Sequence, residues 1–441
     1  MSFRQADCPR HGACATGVGV GERLFTVTKR NQIEVYSWGK EGFDQKLPLP
    51  EQLKCLTVLH HPVPDIESPV SKPQYRVPWL LAGGSASGRI YIWELASGNL
   101  LCVKDAHYQP VSVLQFSSRG EYLVSAGDDG RVLIWRTQEL INSYGVGDDL
   151  RSVKPYQSIT DHTMPVTDIL IGKGLSPDQR LYTGSRDGTL RIYDLSSRKL
   201  LTTLVLPSPV ESFAVDPAGR SIYVGLESGI IRTVPLYHID PHTSVLEAIG
   251  GNGKIITIED DFNLTSSFVQ HQQEAEAAVT ALSISMDGMN IVSGDTRGRV
   301  FVSDVVTRQV VKAFPAANSP ISVISVFPIP SKEKQLVLDK KHRLIPQLKR
   351  IMVSENPLEH SLHMEIPSKP QTEPSFDTWI ETVANDEVSF KQMGAVSSTV
   401  RQSVATQPST QSEELAKITT AYSELKQKHE QLLEKYTEML E

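Results

Sequence analysis

The stretch AHYQPVSVLQFSSRGEYLVSAGDDGRVLIWR, residues 106–136, decides the fold. A Pro-Val pair at 110–111 opens one strand, and Gly130 stands five positions before Trp135. Glycine accepts the positive φ that a tight hairpin between two strands demands. Alternating apolar residues follow the turn, the period-2 pattern of a strand with one buried face. His107, Ser125, Asp129 and Trp135 are spaced so that a His, a hydroxyl, a carboxylate and a ring N–H can satisfy one another inside a packed sheet.

The pattern recurs in both directions along the chain. Gly88, Gly188, Gly229 and Gly298 each stand five positions before Trp93, Tyr193, Val234 and Ser303, and Asn31 stands five before Tyr36. Pro-Val-like pairs open further strands in QPVSVLQFSSRG, MPVTDILIG, SPVESFAVDPAG, AAVTALSISMDG and SPISVISVF. From Val111 to Trp135, Val210 to Val234 and Val279 to Ser303 the gap is 24 residues, and Val166 to Tyr193 gives 27. Two landmarks keeping step, with signature intervals of 41 and 42 residues, mark four-stranded propeller blades. Longer intervals of 57, 58 and 69 place loop insertions near 60–78, 143–160 and 236–276. His162, Thr183, Asp187 and Tyr193 form a second relay at the same spacing. The other copies read as lacking it, because Ser87, Ser228 or Arg297 occupies the Asp place.

The fold expected is all-β: a seven-bladed WD-repeat β-propeller over 1–327, an extended partner-docking or linker segment over 328–411, and a coiled-coil helix over 412–441. Inner strands are expected near Ala13–Ala15, Cys55–Val58, Val111, Val166, Val210, Val279 and Ile321, but only six are followed by a signature. Ile345, 24 residues after Ile321, lies in KKHRLIPQL with neither turn glycine nor aromatic, so the seventh blade is incomplete in sequence. Either the tail supplies irregular strands or the natural N-terminus is longer.

Beyond 328 the repeat stops. Trp379, Ile380 and Phe390 stand in a polar extension, as anchors for a partner or as packing against the chain's own propeller. Leu415, Ile418, Tyr422, Leu425, His429, Leu432, Tyr436 and Met439 follow 3,4 spacing, with Ser412 and Glu414 able to cap the start. An isolated helix of this length is marginal in water, so the stripe calls for a partner, with a homodimer as the default. His429 in the seam is expected to weaken the pairing and to make it sensitive to pH.

Composition narrows the function. The 441 residues carry a net charge of −7, which argues against a general nucleic-acid binder. The run Lys340–Lys341–His342–Arg343 with Lys349–Arg350 reads as a solvated face. Four cysteines make no disulfide framework, and neither a signal peptide nor an apolar span is visible, so a soluble intracellular protein is expected. GVGVGE at Gly17–Glu22 has Glu22 where a dinucleotide fingerprint needs glycine, and GGNGK ending at Lys254 lacks the rest of a phosphate loop. Cys8, His11 and Cys14 lack a fourth metal ligand. The His/Ser/Asp groupings recur at repeat spacing, unlike a catalytic triad. No catalytic residue, cofactor or metal is expected.

The blade sequences resemble one family: the WD-repeat subunit of the Rix complex of fungi, the PELP–TEX complex of animals. The resemblance lies in KLPLPEQLKCL (46–56), SGRIYIWELASGNLL (87–101), AHYQPV (106–111), DHTMPVTD (161–168) and SISMDGMNIVSGDTRGRV (283–300). AYSELKQKHEQLLEKYTEML (421–440) is similar to the fungal form. The resemblance implies a nuclear scaffold, in nucleoplasm and nucleolus, for assembly of the large ribosomal subunit and processing of the second internal transcribed spacer. It further implies a helical-repeat Rix subunit and a third subunit as partners, docking on the pre-60S particle, recruitment of a dynein-like AAA ATPase, and a link to licensing of DNA replication. A propeller adaptor of a ubiquitin ligase or signalling complex shares the fold but not these blade sequences.

Overall fold

Gly88 shows why the repeat keeps its glycine. Its φ is +87°, and a Cβ there would overlap the carbonyl of His107 in the connection to the next blade. The computed structural model describes residues 8–328 without 19–21, 38–39, 41, 61–78, 142–153, 173, 175–178, 240–244, 260–265 and 272–276, together with 344–352 and positions 380, 383–385 and 388. Met1–Glu365 make one compact unit and Ile366–Glu441 a second.

The first unit is built of successive antiparallel sheets. The first holds β1 (Ala13–Ala15), β2 (Arg23–Thr28), β3 (Gln32–Ser37) and β4 (Gln45–Pro48). The second holds β5 (Leu53–Leu59), β6 (Leu80–Ser85), β7 (Arg89–Glu94) and β8 (Leu100–Asp105). The third has β9 (Val111–Phe116), β10 (Tyr122–Gly127), β11 (Val132–Arg136) and, after the short helix α1 (Thr137–Ile141), β12 (Gln157–Ile159). The fourth runs through β13 (Val166–Ile171), β14 (Arg180–Ser185), β15 (Thr189–Asp194) and β16 (Leu200–Val205). In the fifth, β17 (Val210–Val215), β18 (Ser221–Leu226) and β19 (Ile231–Pro235) precede a long excursion. The chain makes a hairpin, β20 (Tyr237–Ile239) with β21 (Leu246–Ala248), then lays β22 (Lys254–Thr257) parallel to β16 as a fifth strand of the neighbouring blade. It returns as β23 (Ser267–Phe268), the outer strand of its own blade. The sixth sheet is β24 (Val279–Ile284), β25 (Asn290–Asp295), β26 (Val300–Asp304) and β27 (Val310–Phe314).

Alternation buries one face of each strand against the next blade, so apolar cores lie between consecutive sheets. Phe25, Ile33 and Leu47 meet Leu81 and Trp93, and Ile90 and Ile92 meet Leu123 and Trp135. Fully burying one such aliphatic side chain is worth about 1.5–3 kcal/mol.

A bulge near the start of β5, β9, β13, β17 and β24 aims polar side chains along the ring. Ser112 Oγ donates to Val166 O at 2.7 Å, Thr167 Oγ1 to Val210 O at 2.8 Å and Ser212 Oγ to Val279 O at 2.7 Å. The series continues past the sixth sheet: Thr280 Oγ1 donates to Ile321 O at 2.7 Å, and Ser322 Oγ to Cys8 O at 2.9 Å. Residues 321–328 carry these links without a strand assignment. The described residues therefore form six blades, five of four strands and the fourth widened to five by β22, where the sequence implies seven with the last unfinished.

Candidate interaction surfaces

In the third blade, His107 Nδ1 lies 3.0 Å from Asp129 Oδ1 and its Nε2 lies 2.9 Å from Ser125 Oγ, which also accepts the Trp135 indole N–H at 3.1 Å. Burial pushes the His107 imidazole below its ordinary pKa, against the pull of Asp129. Ser125 is wholly buried with two partners on its hydroxyl, so it presents no nucleophile to solvent.

In the fourth blade His162 meets Thr183 Oγ1 at 2.8 Å and Asp187 Oδ2 at 3.1 Å. Burial alone would raise the Asp187 carboxyl, but the His162 and Thr189 hydrogen bonds hold it well below the carboxylate range. Tyr193 departs from the expected relay: its hydroxyl donates to Asp161 Oδ2 at 2.9 Å. A phenol carries its donor at the ring's tip, and here that tip lies at Asp161, whereas the indole N–H of Trp135 sits beside Ser125.

A third relay contradicts the expectation that the other blades lack one. His271 Nδ1 lies 3.0 Å from Asp295 Oδ2 and its Nε2 lies 2.7 Å from Ser293 Oγ, with both side chains of the His/Asp pair fully buried. The carboxylate comes from two positions earlier than in the other blades, with Arg297 in the usual Asp place. Arg299 Nε donates to the same Asp295 oxygen at 2.7 Å. Ser293 at the hydroxyl place, ten before Ser303, was the available signal.

The second blade solves the same problem differently. Trp93 is fully buried, but the place held by Ser125 in the third blade is Gly83, whose Cβ would meet Leu53 Cδ1 at 2.5 Å. The Trp93 indole N–H instead donates to Lys349 O at 3.0 Å. Residues 344–350 lie as a strap across the first two blades. Lys349 N donates to Gly98 O at 2.8 Å, the Gln45 amide bonds both backbone groups of Ile345, and Ile345 and Leu348 join the core between the blades. Leaving that indole donor without a partner would cost about 1–3 kcal/mol.

The turn Pro9–Gly12 ties the start of the chain to the fourth and fifth blades. Arg10 donates to the carboxylate and the backbone oxygen of Glu211, and His11 Nε2 lies 3.1 Å from Thr167 O. Arg186 Nε approaches the other Glu211 oxygen at 3.1 Å. Burial, aided by Arg10, pushes His11 down to about 3, and burial raises the neighbouring Asp168 to about 6. His11 is thus engaged by the fourth blade, and no His/Cys/Asp/Glu group suited to a metal occurs among the described residues.

Exposed apolar side chains gather on the excursion from the fifth blade, where Ile239 and Leu246 pair across the hairpin, with Ile255 exposed on β22. Tyr108 is 82% exposed with Arg131 over its ring. Of the expected anchors, Ile380 occupies a helical position and is exposed, while Trp379 and Phe390 lie outside the described residues. So does the whole seam Leu415, Ile418, Tyr422, Leu425, His429, Leu432, Tyr436 and Met439. Lys349 and Arg350 are exposed, and 340–343 are outside the description.

The family model for the WD domain, G-beta repeat, matches residues 98–136 and 153–194. Over its whole length the chain is 46% identical to the pre-rRNA-processing protein IPI3 of Scheffersomyces stipitis, covering 93% of that protein. It is 46% identical to IPI3 of Candida albicans, with all of this chain and 92% of the relative covered. Pre-rRNA-processing protein crb3/ipi3 of Schizosaccharomyces pombe is 33% identical over 80% of this chain and 76% of its own. The chain belongs to the IPI3 family of pre-rRNA-processing proteins. In this IPI3-family chain each matched repeat begins at or just before the outer strand of one blade and ends in the third strand of the next. The strap lies in the same full-length alignment, beyond both matched repeats.

Proposed function

We propose that this chain is a non-catalytic scaffold of a nuclear pre-rRNA-processing complex. The observation that carries the reading is 46% identity over the full chain to proteins named for pre-rRNA processing. The relays support it from the physical side, since their His, hydroxyl and carboxylate groups are spent on one another inside the blades. The ring has seven places, the last taken by residues 321–328 between the sixth blade and Cys8. A tail follows it, and the 412–441 helix pairs two copies. The complex matures the large ribosomal subunit at the second internal transcribed spacer, joins a helical-repeat Rix subunit and a third subunit on the pre-60S particle, and helps recruit a dynein-like AAA ATPase. A role in replication licensing belongs to the same reading.

Affinity capture of the tagged full chain, read by mass spectrometry and by probing for spacer-containing precursor RNA, tests this. Pre-60S proteins, a helical-repeat partner and accumulation of the precursor on depletion are expected. Recovery of ligase or signalling subunits with normal precursor levels would reject the reading.

A further inference from the structure

We propose that the groove between the first and second blades is a peptide-docking site whose resident ligand is the chain's own segment 344–350, and that its occupancy fastens the end of the ring to its beginning. The sequence of the second blade is cut to fit that segment in two places. At Gly83 the blade omits the hydroxyl that receives the Trp135 indole in the third, and the strap carbonyl of Lys349 supplies the acceptor for Trp93. At Gly98 it omits a side chain. The corresponding turns of the fourth and sixth blades, closed by the same backbone bond as Glu94 N to Asn99 O, carry Arg198 and Arg308 at φ +60° and +59°. A left-handed residue with a full side chain is therefore tolerated in this turn. In the second blade a Cβ at 98 would overlap Gln347 O, so glycine there makes room for the strap backbone.

The groove reads the strap by backbone and by shape. Gln45 addresses the N–H and carbonyl of Ile345, Gly98 O takes Lys349 N, and the two apolar side chains three positions apart, Ile345 and Leu348, enter the core beside Leu47, Leu95 and Leu100. Such recognition combines main-chain hydrogen bonds for hold with apolar pockets for selection. Because the strap follows Ile321 and Ser322, which link the sixth blade to Cys8, the chain's last ring segment is fastened to its first two blades. A propeller normally closes by sharing strands of one blade between the two ends of the chain; here the segment that follows the closing link is seated between the first two blades.

Two full-chain variants test this from opposite sides. Ile345→Asp with Leu348→Asp releases the strap and leaves the groove intact. Gly98→Arg, the residue the sister turns already carry, keeps the turn and evicts the strap. Both are expected to speed amide exchange at Lys349 by about tenfold or more and to lower the thermal midpoint by several degrees. A synthetic peptide of residues 343–352 should bind the Ile345/Leu348 variant saturably and restore its midpoint, and should leave Gly98→Arg unchanged. Wild-type exchange and midpoint in the Ile345/Leu348 variant, or a folded variant that binds no peptide, overturns the proposal. Should that variant fail to fold, unaltered Lys349 exchange in both Gly98→Arg and Trp93→Phe overturns it equally.

Discussion

The second and third blades share a tryptophan at the same place and treat its indole N–H in opposite ways. The third keeps the donor within its own sheet, on a serine that also serves a buried histidine. The second hands it to a segment more than 250 residues further along the chain. A self-contained blade gains local stability and owes nothing to its neighbours. A borrowing blade makes its own completeness depend on a distant segment, which is useful only if that segment must be held in place.

The sixth blade extends the comparison to a third case and carries the largest expected effect. Asp295→Ala strips partners from His271, from Arg299 and from the backbone of the turn, all around a fully buried carboxylate. A loss of about 3–5 kcal/mol is expected in urea unfolding. Ser125→Ala strips the partner from the Trp135 indole N–H and from His107 Nε2 and should cost about 2–3 kcal/mol by the same measurement. A result near zero would mean that the self-contained relay is ornamental and would dissolve the contrast with the second blade.

Trp93→Phe and Trp135→Phe form the matched pair. Each removes one hydrogen bond, for about 1 kcal/mol, but only Trp93→Phe should quicken exchange at Lys349. Equal exchange in the two variants would show that the borrowed acceptor does nothing to hold the strap.

The smallest effect is on pH. His107 and His271 are pushed below their ordinary range and His11 to about 3, so the folded protein keeps them neutral. The unfolded chain protonates its histidines near pH ~6.5, so stability falls as pH drops below that value. Asp168, raised to about 6, works the other way: the folded state binds its proton before the unfolded one, which adds stability as pH falls from 6 toward 4. At pH 5.5 His11 alone gives a loss of about 1–2 kcal/mol, of which Asp168 offsets roughly half. The thermal midpoint should decline gently from pH 7.5 to 5, and more steeply in Asp168→Asn.

The parts legible in sequence were those written as presences at a fixed interval. Val111, Val166, Val210 and Val279 begin inner strands, and the turn glycines lie where the spacing put them. The relay of His107, Ser125, Asp129 and Trp135 closes as a set because its members come from one repeat. Asp295 escaped notice because its carboxylate reaches the histidine from a place two residues off the repeat. The strap was invisible for a deeper reason: its signs in the second blade are omissions at Gly83 and Gly98, and an omission acquires meaning only once the filling group is seen. Pairing between Gln45 and Ile345, 300 residues apart, leaves no periodic trace.

The turn at Pro9–Gly12 bears on how the molecule is made. Arg10 leaves the ribosome 201 residues ahead of Glu211, its partner. At roughly 5–20 residues per second that separation is about 10–40 s of synthesis. Throughout that interval a guanidinium destined for a buried carboxylate lacks that partner, although all four strands of the first blade are already made. Residues made well before the fifth blade are thus among the latest to find their place, because that blade must be at hand before they can settle.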